Sequence, residues 1–146
     1  MKHNQLLVLI RKINAFRKHI FSGVCVDLEH EISKTQRGVL MYIAFEGPVP
    51  MNDVSEKFAL AKGSFTQVAD GLEELGFIER KRCDKDRRII YLETTDKGKE
   101  TALKIHQATE ERIESLLSKL SADEREKFID CLSQVADYID IVRGEN

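Results

Sequence analysis

Six basic side chains lie within the nine residues from Arg80 to Arg88, and only two acids accompany them. Such a cluster binds anions, and the arginine guanidinium group in particular matches the geometry of a phosphate. Just before it, the segment from Lys62 to Asp70 places apolar residues on one helical face and small or hydrogen-bonding groups on the other. A polar-faced helix beside a basic hairpin has what a protein needs to contact both grooves of one DNA duplex. The residue types therefore favour nucleic-acid recognition.

The polar-faced helix is predicted over residues 62–75. Its first half would enter the major groove, where each base pair shows a distinct pattern of donors and acceptors. We expect Lys62 to bind a phosphate, and Ser64, Thr66 and Gln67 to contact base edges. The alternative is an ordinary solvated helix face, and the basic hairpin alongside it favours the base-reading role.

The hairpin is predicted as a strand at 77–82, a turn at 83–87 and a returning strand at 88–92. Arg88 is the expected minor-groove contact, because an arginine gains most where that groove is narrow and its negative potential is deepest. The other basic side chains are expected on the phosphate backbone, where they would set the salt dependence of binding. They are Lys81, Arg82, Lys85 and Arg87. For each of them the alternative is an ordinary hairpin charge.

The formal net charge of the whole chain is −2, which is low for a protein that binds a polyanion. The distribution of the charge matters more than its sum. From Glu110 onwards there are ten acids and five bases, whereas the hairpin is basic. The field of a nucleic acid would orient a molecule polarised in this way.

Apolar periodicity and capping residues predict six helices around the hairpin. Ser33 with Gln36, and Ser121 with Glu124, have the spacing of capping boxes, and Thr95 stands at an N-cap position. The predicted helices cover residues 5–24, 33–45, 52–59, 62–75, 95–120 and 122–142.

The composition excludes several classes of protein. Three cysteines at unrelated spacings argue against a disulfide framework and against a CxxC-type metal site. No apolar run approaches the length of a membrane-spanning helix, and no signal peptide is recognisable. We therefore expect a cytoplasmic protein with no membrane partner, no metal and no cofactor. An enzyme is not expected, because the chain lacks a glycine-rich phosphate loop and the HExxH and GxSxG motifs.

The first helix and the last two carry more apolar surface than a small DNA-binding core can cover. We expect them to pack against one another and against a second copy of the chain. The alternative is a monomeric helical bundle, but a two-fold symmetric operator favours a two-fold symmetric protein.

Four segments, in order and at the right separations, resemble the MarR family of bacterial and archaeal transcription regulators, and the resemblance covers nearly the whole chain. The segments are Thr35-Gln36 with Val39-Leu40 and Ile43; Asn52 to Phe58 with the helix behind it; Leu72 to Arg80; and Asp86-Arg87-Arg88 with Leu92, Thr95 and Gly98. The chain departs from the family at Ala61, where a serine or threonine often caps the helix, and at Gln67 and Gly71, where longer side chains are common.

The resemblance implies a mainly α-helical winged helix-turn-helix with a small β-hairpin wing and N- and C-terminal dimerisation helices. Within one domain of residues 1–146, it assigns 1–32 and 99–146 to dimerisation and 33–98 to the winged helix. It also places Asp86 where this carboxylate would hold the wing or its arginine in position. The implied function is regulation of transcription by a homodimer that binds a pseudo-palindromic operator in double-stranded DNA. Such a protein usually represses, and it releases DNA when an effector binds.

The implied effector is a small aromatic or drug-like molecule in a pocket between the winged head and the dimerisation helices. The candidate pocket residues are Phe16, His19, Ile20, Tyr42 and Phe45.

Other functions stay open from the sequence. A winged helix used for protein interaction, without DNA readout, would explain the acids Asp70, Glu73 and Glu74 on the polar-faced helix. Oxidant sensing through Cys25, as in some relatives, would need an accessible thiol with a depressed pKa. A metal site made from Cys25, Glu29, His30 and His106 would lack a compact ligand motif.

Overall fold

The computed structural model describes residues 3–24, 26, 28 and 31–144, and this part of the chain contains six helices and three short strands. The mainly helical fold with a small antiparallel wing is thereby confirmed. In chain order the elements are α1 (His3–Ser22), α2 (Lys34–Glu46), β1 (Val49–Pro50), α3 (Met51–Lys57), α4 (Lys62–Glu74), β2 (Ile78–Arg82), β3 (Ile90–Thr94), α5 (Asp96–Leu117) and α6 (Ala122–Arg143).

The chain forms two compact units. One takes in Met1–Ile20 and Glu110–Asn146, and the other takes in Phe21–Thr109. The second unit contains the helix-turn-helix and the wing, and the predicted boundaries at 33 and 98 both lie inside it.

The hydrophobic core of the second unit is built from α2, α4 and the two longer strands, together with Val54 of α3 and Ala102 and Ile105 of α5. Its buried side chains recur at helical spacing on each helix, which explains why these segments form helices against one core. Fully or almost fully buried members are Val39, Leu40 and Ile43 on α2, Phe65, Ala69 and Leu72 on α4, and Ile78 and Leu92 on the strands. One side of α4 packs into this core, and the polar side of the helix faces away from it.

The wing belongs to a three-stranded antiparallel sheet in the order β1-β3-β2. The sequence predicted only the hairpin and took residues 46–50 as a helix stop, so β1 is an addition. Val49 pairs with Leu92, and Pro50 lies at the sheet edge, where a residue without an N–H is tolerated. β3 starts later than predicted because Ile89 still belongs to the turn, in which its N–H donates to the carbonyl of Asp86 at 2.9 Å.

The predicted caps are confirmed. Ser33 with Gln36, and Ser121 with Glu124, form reciprocal capping boxes at the starts of α2 and α6. Thr95 accepts a hydrogen bond from the backbone N–H of Gly98 at 3.0 Å, and its hydroxyl donates to the carbonyl of Gly76 at 2.6 Å. The start of α5 is therefore joined to the corner between α4 and β2.

The first unit consists of α1, the end of α5, and α6. The rings of Phe16 and Phe128 meet edge to face, with centroids 5.6 Å apart. Arg125 forms a bidentate ion pair with Glu114. Many large apolar side chains of α1 and α6 nevertheless face water, among them Leu6, Leu7, Leu9, Ile10, Ile13, Ile129, Leu132, Val135, Ile139 and Val142.

Candidate nucleic-acid interface

The turn between α3 and α4 sets the position of the helix predicted to read DNA. It runs through Ala59, whose positive φ of 49° is uncommon for a residue with a Cβ, and through Leu60, whose N–H donates to the carbonyl of Ser55 at 3.1 Å. Ala61 occupies the N-cap of α4 and supplies no side-chain cap. The first backbone N–H groups of α4 therefore receive no hydrogen bond from an N-cap side chain.

The polar side of α4 is open to solvent in the second unit. Lys62, Ser64 and Gln67 are exposed, and Thr66 is half-buried. The hydroxyl of Thr66 donates to the carbonyl of Lys62 at 2.9 Å, a bond within the helix. Its oxygen lone pairs and its methyl group are left for an outside partner. All four predicted residues therefore lie where a ligand can approach them.

Arg88 and Asp86 form a local unit at the tip of the wing. The carboxylate of Asp86 accepts from the backbone N–H of Arg88 at 3.0 Å and from its Nε at 3.1 Å. The backbone N–H of Arg88, together with its guanidinium group, holds the pKa of Asp86 below the usual aspartate value. The side chain of Arg88 stays 92% exposed. Asp86 thus orients the arginine while leaving its outer edge accessible.

The remaining basic residues of the wing fall into two groups. Arg82, Lys85 and Arg87 are exposed at the end of β2 and in the tip. Lys81 instead forms ion pairs with Glu79 at 2.8 Å and with Glu93 at 2.6 Å, and these two carboxylates raise its pKa. A phosphate would have to compete with both carboxylates for Lys81.

A concave surface joins the start of α4 to the wing. A cleft of about 170 Å³ lies among α3, α4 and the beginning of β3. Lys62 and Thr66 line it from the helix and Arg88 lines it from the wing. The structure therefore brings two of the predicted helix contacts, Lys62 and Thr66, onto one surface with the predicted wing contact Arg88.

Arg80 is the residue of this region whose role the sequence did not reveal. It was counted with the basic residues of the hairpin, but its guanidinium is directed at α4 and pairs with Asp70 at 2.6 Å and with Glu73. Only 23% of its side chain is exposed. Side chains alternate between the two faces of a strand, so residue 80 lies on the inner side between the exposed positions 79 and 81. This alternation is the sequence feature that could have identified Arg80 as an inward-facing residue.

The predicted effector residues have the following surroundings, each within its own unit. In the first unit Phe16 packs on Phe128, and Nε2 of the exposed His19 lies 3.1 Å from a guanidinium nitrogen of Arg112. Ile20 is buried. In the second unit the ring of Tyr42 contacts Phe58 and Nζ of Lys57, and the exposed Phe45 contacts His106. Their joint role stays a prediction.

The other predicted sites concern cysteine and metal chemistry. Cys25, Glu29 and His30 lie outside the described residues, so Cys25 as an oxidant sensor stays a prediction. In the described part of the chain, Cys83 and Cys131 are free thiols. Within that same part, no cluster of three metal-ligating side chains occurs, and no helix is long and apolar enough to cross a membrane.

Comparison with known proteins identifies relatives of this chain. The family model described as "MarR family" matches residues 30–89. The uncharacterised HTH-type transcriptional regulator YkoM of Bacillus subtilis is 36% identical over 101 residues, which are 69% of this chain and 66% of that protein. The HTH-type transcriptional regulator BilQ of Clostridium symbiosum is 31% identical over 101 residues, 67% of this chain and 70% of that protein.

Solved structures share the fold. The crystal structure of MarR has a TM-score of 0.68 at 25% identity and covers 100% of this chain and 96% of that one. Streptococcus pneumoniae FabT in complex with DNA has a TM-score of 0.67 at 20% identity, with 95% of each chain covered. Streptomyces coelicolor PcaV in complex with its natural ligand has a TM-score of 0.61 at 24% identity and covers 88% of this chain and 89% of that one. The last two likenesses concern the fold alone.

Proposed function

Because the chain belongs to the MarR family, we propose that it is a homodimeric, sequence-specific repressor that leaves its operator when a small molecule binds. The chain is a DNA-binding regulator of transcription with a winged helix-turn-helix. The proposal covers the operator contacts, the dimer, repression, release by an effector and a place in the cytoplasm beside the chromosome. The proposal assigns the protein no catalytic role.

One observation carries the operator contacts. Arg88 is 92% exposed while Asp86 orients it, and it faces the same cleft as Lys62 and Thr66 of α4. An arginine held in this way suits a narrow minor groove, and the polar side of a helix suits the major groove beside it. FabT, which shares the fold, was crystallised with DNA, and this supports the assignment.

The contacts divide into two kinds. Ser64, Thr66 and Gln67 on α4 are proposed to contact base edges, and Gln67 is suited to an adenine, with which an amide side chain makes two hydrogen bonds. The phosphate contacts are proposed for Lys62, Lys81, Arg82, Lys85 and Arg87. Among these, Lys81 is the weakest candidate because two carboxylates already hold its ammonium group.

Dimerisation is proposed through α1, the end of α5, and α6. The exposed apolar side chains of the first unit support it, for example Ile13 at 48% and Ile129 at 49% exposure. Contiguous apolar surface of this kind marks an interaction site. A second copy with the same surface would cover it in a two-fold symmetric arrangement and would present two wings to a pseudo-palindromic operator.

The effector is proposed to be a small aromatic or drug-like molecule that contacts Phe16, His19, Ile20, Tyr42 and Phe45. The support is the family together with PcaV, which shares the fold and was crystallised with its natural ligand.

The test is selection of bound duplexes from a random-sequence pool, with purified protein, physiological salt and competitor DNA. The proposal expects enrichment of an inverted repeat whose half-sites are centred about one helical turn apart. Size-exclusion chromatography with light scattering should give the mass of two chains. Folded, dimeric protein that enriches no sequence would refute sequence-specific binding and would favour a protein-interaction module.

A further inference from the structure

The recognition helix carries acids that ought to disfavour DNA. Asp70 follows Gln67 by three residues and Glu73 follows Asp70 by three more, so Asp70 lies next to the predicted base contact on the surface of α4 and Glu73 lies next to Asp70. Both remain partly exposed, with 48% and 39% of their side chains accessible. Two unneutralised carboxylates at this place would repel the phosphates on either side of the major groove.

A single side chain from the wing binds both carboxylates and offsets one of their two charges. Arg80 extends from the middle of β2, and its two terminal nitrogens divide between the carboxylates, one to Asp70 at 2.6 Å and the other to Glu73. Guanidinium suits this arrangement because its donors are fixed in one plane, whereas a lysine ammonium offers a single charged centre. With 23% of its side chain exposed, Arg80 is the least accessible of the three partners.

We propose that Arg80 is a positioning residue for DNA recognition, which offsets one of the two negative charges of Asp70 and Glu73 and holds α4 at a set place beside β2. The proposal rests on the proposed DNA-binding function and deepens it. Arg80 itself stays on its carboxylates when the duplex binds, so it touches no phosphate. It has two effects: the carboxylates beside Gln67 repel the phosphates less strongly, and the helix and the wing approach the duplex as one body.

The experiment is a cycle of variants measured by fluorescence anisotropy on the selected duplex. Arg80→Gln in the wild-type protein should weaken binding by about tenfold, since two carboxylates then face the phosphates. In the Asp70→Asn/Glu73→Gln background the same change should cost less than about threefold, because the charges that Arg80 neutralises are gone. An equal cost in both backgrounds would show that Arg80 contacts the DNA directly and would overturn the proposal.

Salt separates repulsion from a merely structural effect. Repulsion is screened, so the loss caused by Arg80→Gln should shrink as the salt concentration rises. A loss that stays constant with salt would come from a displaced helix alone, and this result would overturn the proposed charge compensation. Circular dichroism establishes that each variant is folded at the temperature of the measurement.

Lys104→Gln is the matched control, because it removes one positive charge from the same unit by breaking an exposed pair with Glu100 on α5. It should change affinity by less than about twofold. An Arg80→Gln loss in the wild-type background no larger than the control's would refute the positioning role. If Arg80→Gln does not fold, Arg80→Met, which also removes the positive charge, takes its place in the same cycle, and the same comparison between backgrounds decides. Wild-type protein that binds no selected duplex would instead count against the proposed function.

Discussion

Gly98 is the position where a single methyl group should do most harm. It lies in the first turn of α5, and a Cβ built there would stand 1.9 Å from the carbonyl oxygen of Phe77, a backbone atom that cannot rotate away. Carbon and oxygen normally approach to about 3.3 Å, so Gly98→Ala must move one backbone segment by roughly 1.4 Å. That movement would strain the bonds that Thr95 makes to the same corner, from its N–H to Phe77 at 3.1 Å and from its hydroxyl to Gly76 at 2.6 Å.

Three contributions set the expected change in the free energy of unfolding, one stabilising and two destabilising. Alanine in a helix interior is favoured over glycine by about 1 kcal/mol. Overpacking costs about 1–3 kcal/mol, and each weakened hydrogen bond costs about 1 kcal/mol. We expect Gly98→Ala to lower the free energy of unfolding by about 3 kcal/mol, with a fall in Tm of roughly 6–12 °C. Urea unfolding followed by circular dichroism, at one fixed protein concentration, measures the change.

Two other glycines are matched controls for this change. Gly63→Ala on α4 meets nothing within 4 Å, so it should be neutral or stabilising by up to about 1 kcal/mol. Gly71→Ala would meet Nε2 of Gln36 at 2.6 Å, the end of a flexible side chain that also caps α2, and its cost should be intermediate. The docking of α5 on the α4–β2 corner would be refuted if Gly98→Ala were as stable as Gly63→Ala.

Three further predictions concern the DNA-binding surface. Arg88→Ala should weaken duplex binding by more than about tenfold while light scattering still gives a dimer, and Arg88→Lys should recover only part of the loss; unchanged affinity would remove the wing assignment. Gln67→Ala should relax base preference at one position in each half-site, measured by repeating the selection, and a uniform loss across sequences would contradict base reading. The pKa of the Asp86 carboxyl, followed by NMR, should lie below the ordinary aspartate value, and should stay low in Arg88→Ala because the backbone N–H of residue 88, the larger cause, remains. Because the pKa of Asp86 is lower in the folded protein, its contact stabilises the wing at every pH above the pKa of the unfolded state. This stabilisation is lost as the pH falls through the pKa of the folded state. A titration midpoint of Asp86 at or above the ordinary aspartate pKa would refute the contact.

Features that depend on neighbours in sequence were predictable. A serine and a glutamine or glutamate three residues apart form a capping box wherever the helix starts, and both predicted boxes, at Ser33 and Ser121, are present. The apolar spacing of Phe65, Ala69 and Leu72 likewise determines which side of α4 is buried, and the opposite side follows from it. The candidate DNA-reading residues were available from the sequence for this reason.

Features that depend on distant parts of the chain were not predictable. β1 is two residues long and exists because β3 offers it an edge, while its Val49-Pro50 sequence alone indicates only a helix stop. The positive φ of Ala59 could not be predicted from the sequence, because glycine or asparagine is the usual residue in that conformation and an alanine does not indicate it. The position where β3 starts depends on the bonds inside the turn and not on the apolar pattern.

The basic character of the wing shows how far a charge count can mislead. Of the six bases between Arg80 and Arg88, Arg80 pairs with two acids of α4, and Lys81 pairs with Glu79 on its own strand and with Glu93 on β3. The positive charge that faces outward is therefore concentrated in the tip, around Arg88, and two of the three acids on α4 that favoured a protein-interaction module, Asp70 and Glu73, are the partners of Arg80. A net charge of −2 is compatible with DNA binding because ten of the acids lie from Glu110 onwards, and because Asp70 and Glu73 share the guanidinium of Arg80. The arrangement of the ion pairs, which is a property of the fold, decides what the duplex meets.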